Sequence, residues 1–143
     1  MLFIKNYQNL SEIVFENYTK YAEKSAFSVV KLMCESCLFS YESRRKAIKK
    51  FLNIKTRTPI YFNEKTLLIP TKSPRNYEAI WFNYFKILKV INLNKTVEIV
   101  FNNLTVLKLD VSYYIINKGL ANAKKIITYL EEKQQRLFLE NSY

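Results

Sequence analysis

The chain has 143 residues, a net charge of +11, no histidine, one glycine and two cysteines. With 49% hydrophobic and 15% aromatic residues, a chain of this size buries a core as a single domain without disulfides or metals. The absence of histidine and the single glycine exclude an imidazole base, histidine-ligated metal, a glycine-rich phosphate loop and a nucleophile elbow.

From the N-terminus, MLFIKNYQNLSE lacks the basic and apolar regions of a secretory signal, and no later apolar run is long enough to span a membrane. The expectation is a soluble cytoplasmic protein with no membrane association. Asn9 to Tyr21 predicts a first helix: Asn9 is a plausible N-cap, Glu12 follows three residues later, and Leu10, Ile13, Val14 and Tyr18 make an apolar side. Ser25 predicts the cap of a second helix reaching about Cys37, with Val29, Val30, Met33 and Cys37 inward; its paired valines also suit a strand. A third helix is expected from about Ser43 to Leu52. Ala47, Ile48, Phe51 and Leu52 form one face, and Arg45, Lys46, Lys49 and Lys50 another. Arg44 and Arg45 fall in its first turn, against the helix macrodipole, and a phosphate bound there would relieve the conflict.

After Pro59 the pattern changes to strands. Pro59–Phe62 and Thr66–Ile69 flank a hairpin loop at Asn63-Glu64-Lys65. Ile80–Ile91 is a long aromatic and β-branched run. Thr96–Phe101 and Leu104–Val111 flank Asn102-Asn103, residues that tolerate positive φ. Paired in order, these strands make an antiparallel meander. Ser112 predicts the cap of a last helix reaching about Leu139. Ile116, Leu120, Ala123, Ile127, Leu130 and Leu137 would pack on the sheet, and its outer end is a candidate dimer contact. Gly119 inside that helix marks a close backbone approach or a break. The expected fold is therefore α+β in one domain: a mainly helical part over 1–52, an antiparallel β-meander over 58–111, and a covering C-terminal helix over 112–139.

Charge is concentrated. Arg44 to Arg75 holds ten basic residues and one acid, Glu64, so this segment carries +9 of the net +11. Such a local field is the footprint of a polyanion partner; a solvated lysine-rich face is the alternative. The candidate phosphate and groove contacts are Arg44, Arg45, Lys46, Lys49, Lys50, Lys55, Arg57, Lys72 and Arg75. Arg44 and Arg45 are favoured for groove insertion and the lysines for phosphate neutralisation. Cys34 and Cys37 form a C-x-x-C, but zinc would need two more ligands, so core packing is the simpler reading. No cofactor, metal or enzymatic activity is expected.

In order, these residues resemble the competence transcription factor (ComK) family of low-GC Gram-positive bacteria. Ser40-Tyr41-Glu42-Ser43-Arg44-Arg45 is similar to its Ser-Tyr-x-Gly-Arg-Lys, Pro59-Ile60 to its Pro-Pro-Ile, and Pro70-Thr71-x-Ser73 to its Pro-Thr-x-Ser. Trp81 follows at the expected interval, then a hairpin from Val97 to Leu109 closing on Val111-Ser112. The resemblance runs from Ser36 to Leu130; ahead of it, sequence that reads as helical stands where the family is β-rich. The resemblance implies a DNA-binding regulator of DNA-uptake genes. It also implies a dimer or tetramer on AT-rich double-stranded DNA, read through the minor groove, and a proteolytic adaptor as a further partner. Against the resemblance, the family's C-terminal tail linked to regulated degradation is expected to be largely missing. Two rival readings stay open: a protein-interaction module that modulates a full-length relative, and an RNA-binding basic protein.

Overall fold

The computed structural model describes residues 1–140. It is mixed α+β, with antiparallel sheets and a C-terminal helix packed on them. Strands β1 (Phe3–Tyr7), β2 (Leu10–Val14) and β3 (Thr19–Ala22) come first. Helices α1 (Ala26–Ser36) and α2 (Tyr41–Leu52) follow. Then come β4 (Ile60–Asn63), β5 (Thr66–Pro70) and β6 (Ile80–Asn83), a 3-10 turn at Tyr84–Lys86, β7 (Ile87–Asn92), β8 (Val97–Phe101), β9 (Val106–Leu109) and α3 (Tyr113–Glu140).

The helix expected over Asn9–Tyr21 is corrected to a pair of hairpins. Gln8 takes φ 53° at the β1–β2 turn, and Phe15 N–H bonds Tyr18 O at 2.8 Å across the next. The apolar residues of this stretch are largely β-branched or aromatic, types that suit a pleated surface. Long-range pairing then outweighs the local capping signal: Ile4 of β1 lies opposite Trp81 of β6.

The expected single meander is also corrected. Six strands form one sheet in the order β3-β2-β1-β6-β5-β4, and β7-β8-β9 form a second. The run Ile80–Ile91 is broken because the side chain of Asn83 accepts from Phe85 N–H at 3.2 Å and starts the 3-10 turn. That turn carries the chain out of the first sheet and into the second.

The middle strands of the large sheet are buried on both faces. Ile4, Ile60, Leu68 and Trp81 pack against Ala26, Val29, Val30 and Cys34 of α1 and Tyr41 of α2. Phe3, Leu67, Ile69 and Phe82 pack against the small sheet and Ile116 and Ala123 of α3. Consecutive Leu67, Leu68 and Ile69 thus enter alternate cores, as expected of a central strand.

Each helix starts where a serine can cap it. Ser25 and Ser40 accept from Ser28 and Ser43 N–H, each at 3.1 Å. Helix α2 therefore begins at Tyr41, with Glu42 in its first turn. Arg44 and Arg45 lie beyond that turn, and the expected conflict with the macrodipole is corrected. The apolar face of α2 is also rotated from expectation: Tyr41 is buried, Ile48 and Leu52 half-buried, Ala47 and Phe51 exposed. Cys34 of α1 is inward, and Cys37, just past the end of α1, is exposed. At the β8–β9 turn it is Leu104, not Asn102 or Asn103, that takes positive φ, at 71°.

Helix α3 starts from Ser112, whose hydroxyl accepts from Ile115 N–H at 3.3 Å. Ile116, Ala123 and Ile126 are buried, while Leu130 and Leu137 are exposed. Gly119 marks a close approach rather than a break: a Cβ there would lie 2.9 Å from Cγ2 of Ile69.

Candidate nucleic-acid interface

Three chain segments build a cationic cleft. The first is the start of α2, which presents Tyr41, Glu42 and Arg45. The second is the connection from α2 to β4. Asn53 ends α2 in the left-handed region at φ 57°, and its N–H bonds Lys49 O at 3.0 Å. Ile54 and Thr58 are then buried, at 4% and 2% exposure, so the chain between them arches outward with Lys55, Thr56 and Arg57 on it. Arg57 sits at φ 44°, which costs roughly 1 kcal/mol or more for a non-glycine residue. The third segment is the loop after β5. Thr71 clamps its base: its N–H bonds Ile80 O, and its hydroxyl accepts from Ile80 N–H, both at 3.0 Å. Asn76 N–H bonds Ser73 O at 2.9 Å within it. Ser73, Pro74 and Arg75 close the cleft, whose volume is about 460 Å³. Phe27 of α1 contributes to the wall, with the Arg75 guanidinium 5.7 Å from its ring centre.

Of the nine candidate contacts, Arg45, Lys55, Arg57 and Arg75 meet in this cleft. None of the four is in an ion pair among the described residues. Lys46, Lys49 and Lys50 are exposed on α2, and Lys49 follows Arg45 by one helical turn, on the same side.

Arg44 does not line this cleft. Its Nε donates to Phe39 O at 2.9 Å, its Nη1 to Tyr61 O at 3.0 Å, and its Nη2 to Cys34 O and Cys37 O at 3.2 and 3.1 Å. It also lies 5.5 Å from the Phe62 ring centre. Four carbonyls hold the guanidinium between the C-terminal end of α1 and β4, apart from the cleft that Arg45 lines. Lys72 is paired with Glu78 at 2.8 Å. That hydrogen bond raises the Lys72 ammonium pKa and lowers that of the Glu78 carboxyl.

Sequence reasoning missed the cations of α3. Lys118 shares a small cleft with Arg57, and Lys124 and Lys125 line a groove of about 430 Å³ against Leu52. The Phe51 and Tyr129 rings, 6.0 Å apart, bring the end of α2 to α3. Lys118 and Lys125, seven residues apart, lie on one side of α3 beside its apolar stripe; that spacing was the available signal. Cys34 has no role here: burial pushes its thiol up to about 11. No cluster of three or more metal-ligating side chains occurs among the described residues.

The ComK family profile, described as ComK protein, matches residues 2–135 of the chain. The chain belongs to the ComK family. The match begins far ahead of Ser36, where the resemblance starts in the sequence reading. The β-rich N-terminus of this ComK chain removes the expected departure there. Membership carries the coarse reading of a competence transcription factor. Searches of the curated proteins and of the solved structures find no match. No helix among the described residues of this ComK protein is long and apolar enough to cross a membrane.

Proposed function

We propose that this ComK protein binds double-stranded DNA with a preference for AT-rich sites, through the cationic cleft and the exposed lysines of α2. The supporting observation is the convergence of Arg45, Lys55, Arg57 and Arg75 from three segments of the chain, with Lys46, Lys49 and Lys50 alongside. Narrow A-tract minor grooves concentrate negative potential and attract arginine. Arg45, Arg57 and Arg75 take the groove-reading role in this proposal, and the lysines neutralise phosphates. The protein acts as a regulator of competence genes and not as an enzyme. A dimer or tetramer on DNA is part of the same reading, favoured by the exposed Leu130 and Leu137 on the far end of α3.

A gel-shift titration against AT-rich and GC-rich duplexes at several salt concentrations tests this. With about six phosphates neutralised, the log–log salt slope should be near −5. Arg45→Ala with Arg57→Ala should reduce AT preference, and Lys49→Ala with Lys50→Ala should weaken all duplexes alike. Equal losses on every duplex from both pairs would remove the minor-groove reading. Salt-insensitive or absent duplex binding would remove the DNA reading. Tighter binding to RNA than to duplex DNA in competition would favour the RNA-binding alternative.

A further inference from the structure

The cleft has features that a flat run of phosphate contacts does not need. Its volume of about 460 Å³ falls in the range of small-ligand sites, roughly 300–1,000 Å³. Thr58 lines it, is 2% exposed, and its Oγ1 has no hydrogen-bond partner. A buried hydroxyl left unpaired is costly and uncommon in native proteins. The cleft is lined by four cations and a single carboxylate, Glu42, together with Thr56 and Ser73. The formal charge of the lining is therefore +3. An uncharged polar ligand would leave these cations uncompensated, and a cationic ligand would be repelled. A compact, multiply acceptor-bearing anion matches that charge and offers an acceptor for the Thr58 hydroxyl.

We propose that the cleft is a discrete phosphoryl-group site, in which one phosphate accepts a hydrogen bond from Thr58 and is held by Arg45, Lys55, Arg57 and Arg75. Bidentate guanidinium contacts suit such a group. The phosphoryl group belongs either to a DNA backbone or to a free phosphate compound. The inference uses the same cations as the DNA reading but does not depend on DNA binding.

The intact protein reports on the site directly. Trp81 is the single tryptophan. It is fully buried, and its ring lies 6.3 and 6.4 Å from those of Phe27 and Tyr41, which line the cleft. Titration with inorganic phosphate, at ionic strength held constant with chloride, should give a saturable change in Trp81 emission and a rise in the thermal midpoint. Thr58→Val should weaken the response at least tenfold while leaving the phosphate-free midpoint equal or higher, because the unpaired hydroxyl is gone. Arg75→Ala, at an exposed position, gives a second variant with the same expected loss should Thr58→Val fold poorly.

A short AT-rich duplex separates the two sources. Loss of duplex affinity in Thr58→Val, with inorganic phosphate competing for the duplex, assigns a backbone phosphate. Loss of the phosphate response with unchanged duplex affinity assigns a free phosphate compound. A saturable phosphate response in a protein that binds no duplex keeps the site and removes the DNA reading. The proposal is overturned when wild type responds to phosphate no more than to chloride and both variants bind the duplex as wild type does.

Discussion

The guanidinium of Arg44 donates to four backbone carbonyls, while that of its neighbour Arg45 lines the cationic cleft. One residue of helical rotation, 100°, separates the two environments. Arg44→Ala should cost about 2–3 kcal/mol, since it leaves the carbonyls at the end of α1 without their charged donor. Arg44→Lys should recover little of this, because an ammonium cannot reproduce the planar fork; denaturant melts of both variants check it. The cysteines divide in the same manner. Cys37 is exposed and Cys34 buried, so a thiol reagent should modify one cysteine in the native protein and two after denaturation. Burial raises the folded pKa of Cys34 from 9.0 to about 11. Below pH 9 the thiol is protonated in both states and contributes no pH dependence. Above pH 9 the unfolded chain releases the proton first, so stability falls as pH climbs toward 11. Tyr41, raised by burial in turn, adds to the fall above pH 10. Cys34→Ala should flatten part of that slope in melts recorded between pH 8 and 10.5.

Among the elements, α1 and α3 were legible from their serine caps and apolar spacing; α2 was legible as a helix, but its Ser40 cap was not read and its apolar face was misplaced. The N-terminal hairpins were not, because Leu10, Ile13, Val14 and Tyr18 fall at i, i+3, i+4 and i+8 and so satisfy a helical period over this short run. What decided for strands is the partner: β1 is a central strand of the six-stranded sheet, paired with β6 from 75 or more residues away. The turn signals were also muted, since Gln8 and Leu104 hold positive φ where a glycine would have announced the turn. Gly119 was legible as an anomaly, and the crossing of α3 over β5 supplies its cause. At an open helix site Gly→Ala stabilises by about 1 kcal/mol. Here the added methyl meets buried Ile69, so Gly119→Ala should instead lower stability by roughly 1–2 kcal/mol. The same substitution in an Ile69→Ala background should recover most of the helix gain; a double-mutant cycle measures it.

At the scale of the molecule, closure depends on one polar side chain. Asn83 is fully buried. It accepts from Leu67 N–H at 3.1 Å and Phe85 N–H at 3.2 Å, and donates to Met1 O at 2.9 Å and Lys65 O at 3.0 Å. It thereby joins the N-terminus, the β4–β5 hairpin and the turn between the two sheets. Asn83→Ala leaves buried backbone groups unpaired and should cost about 3–4 kcal/mol, read as a drop in thermal midpoint with loss of cooperativity. The cationic surface is a property of this same scale. Composition and linear charge density were enough to say that a polyanion partner is expected and that the positive field lies between Arg44 and Arg75, because charge is carried by residue type and does not depend on the fold. Which of those cations stand together was set by packing. Folding turned Arg44 inward onto carbonyls, tied Lys72 to Glu78, brought Lys118 of α3 to Arg57, and placed Thr58 in the lining of one cleft with Arg45, Lys55, Arg57 and Arg75. Those outcomes depend on distances between segments far apart in the chain, and local sequence carries no record of such distances.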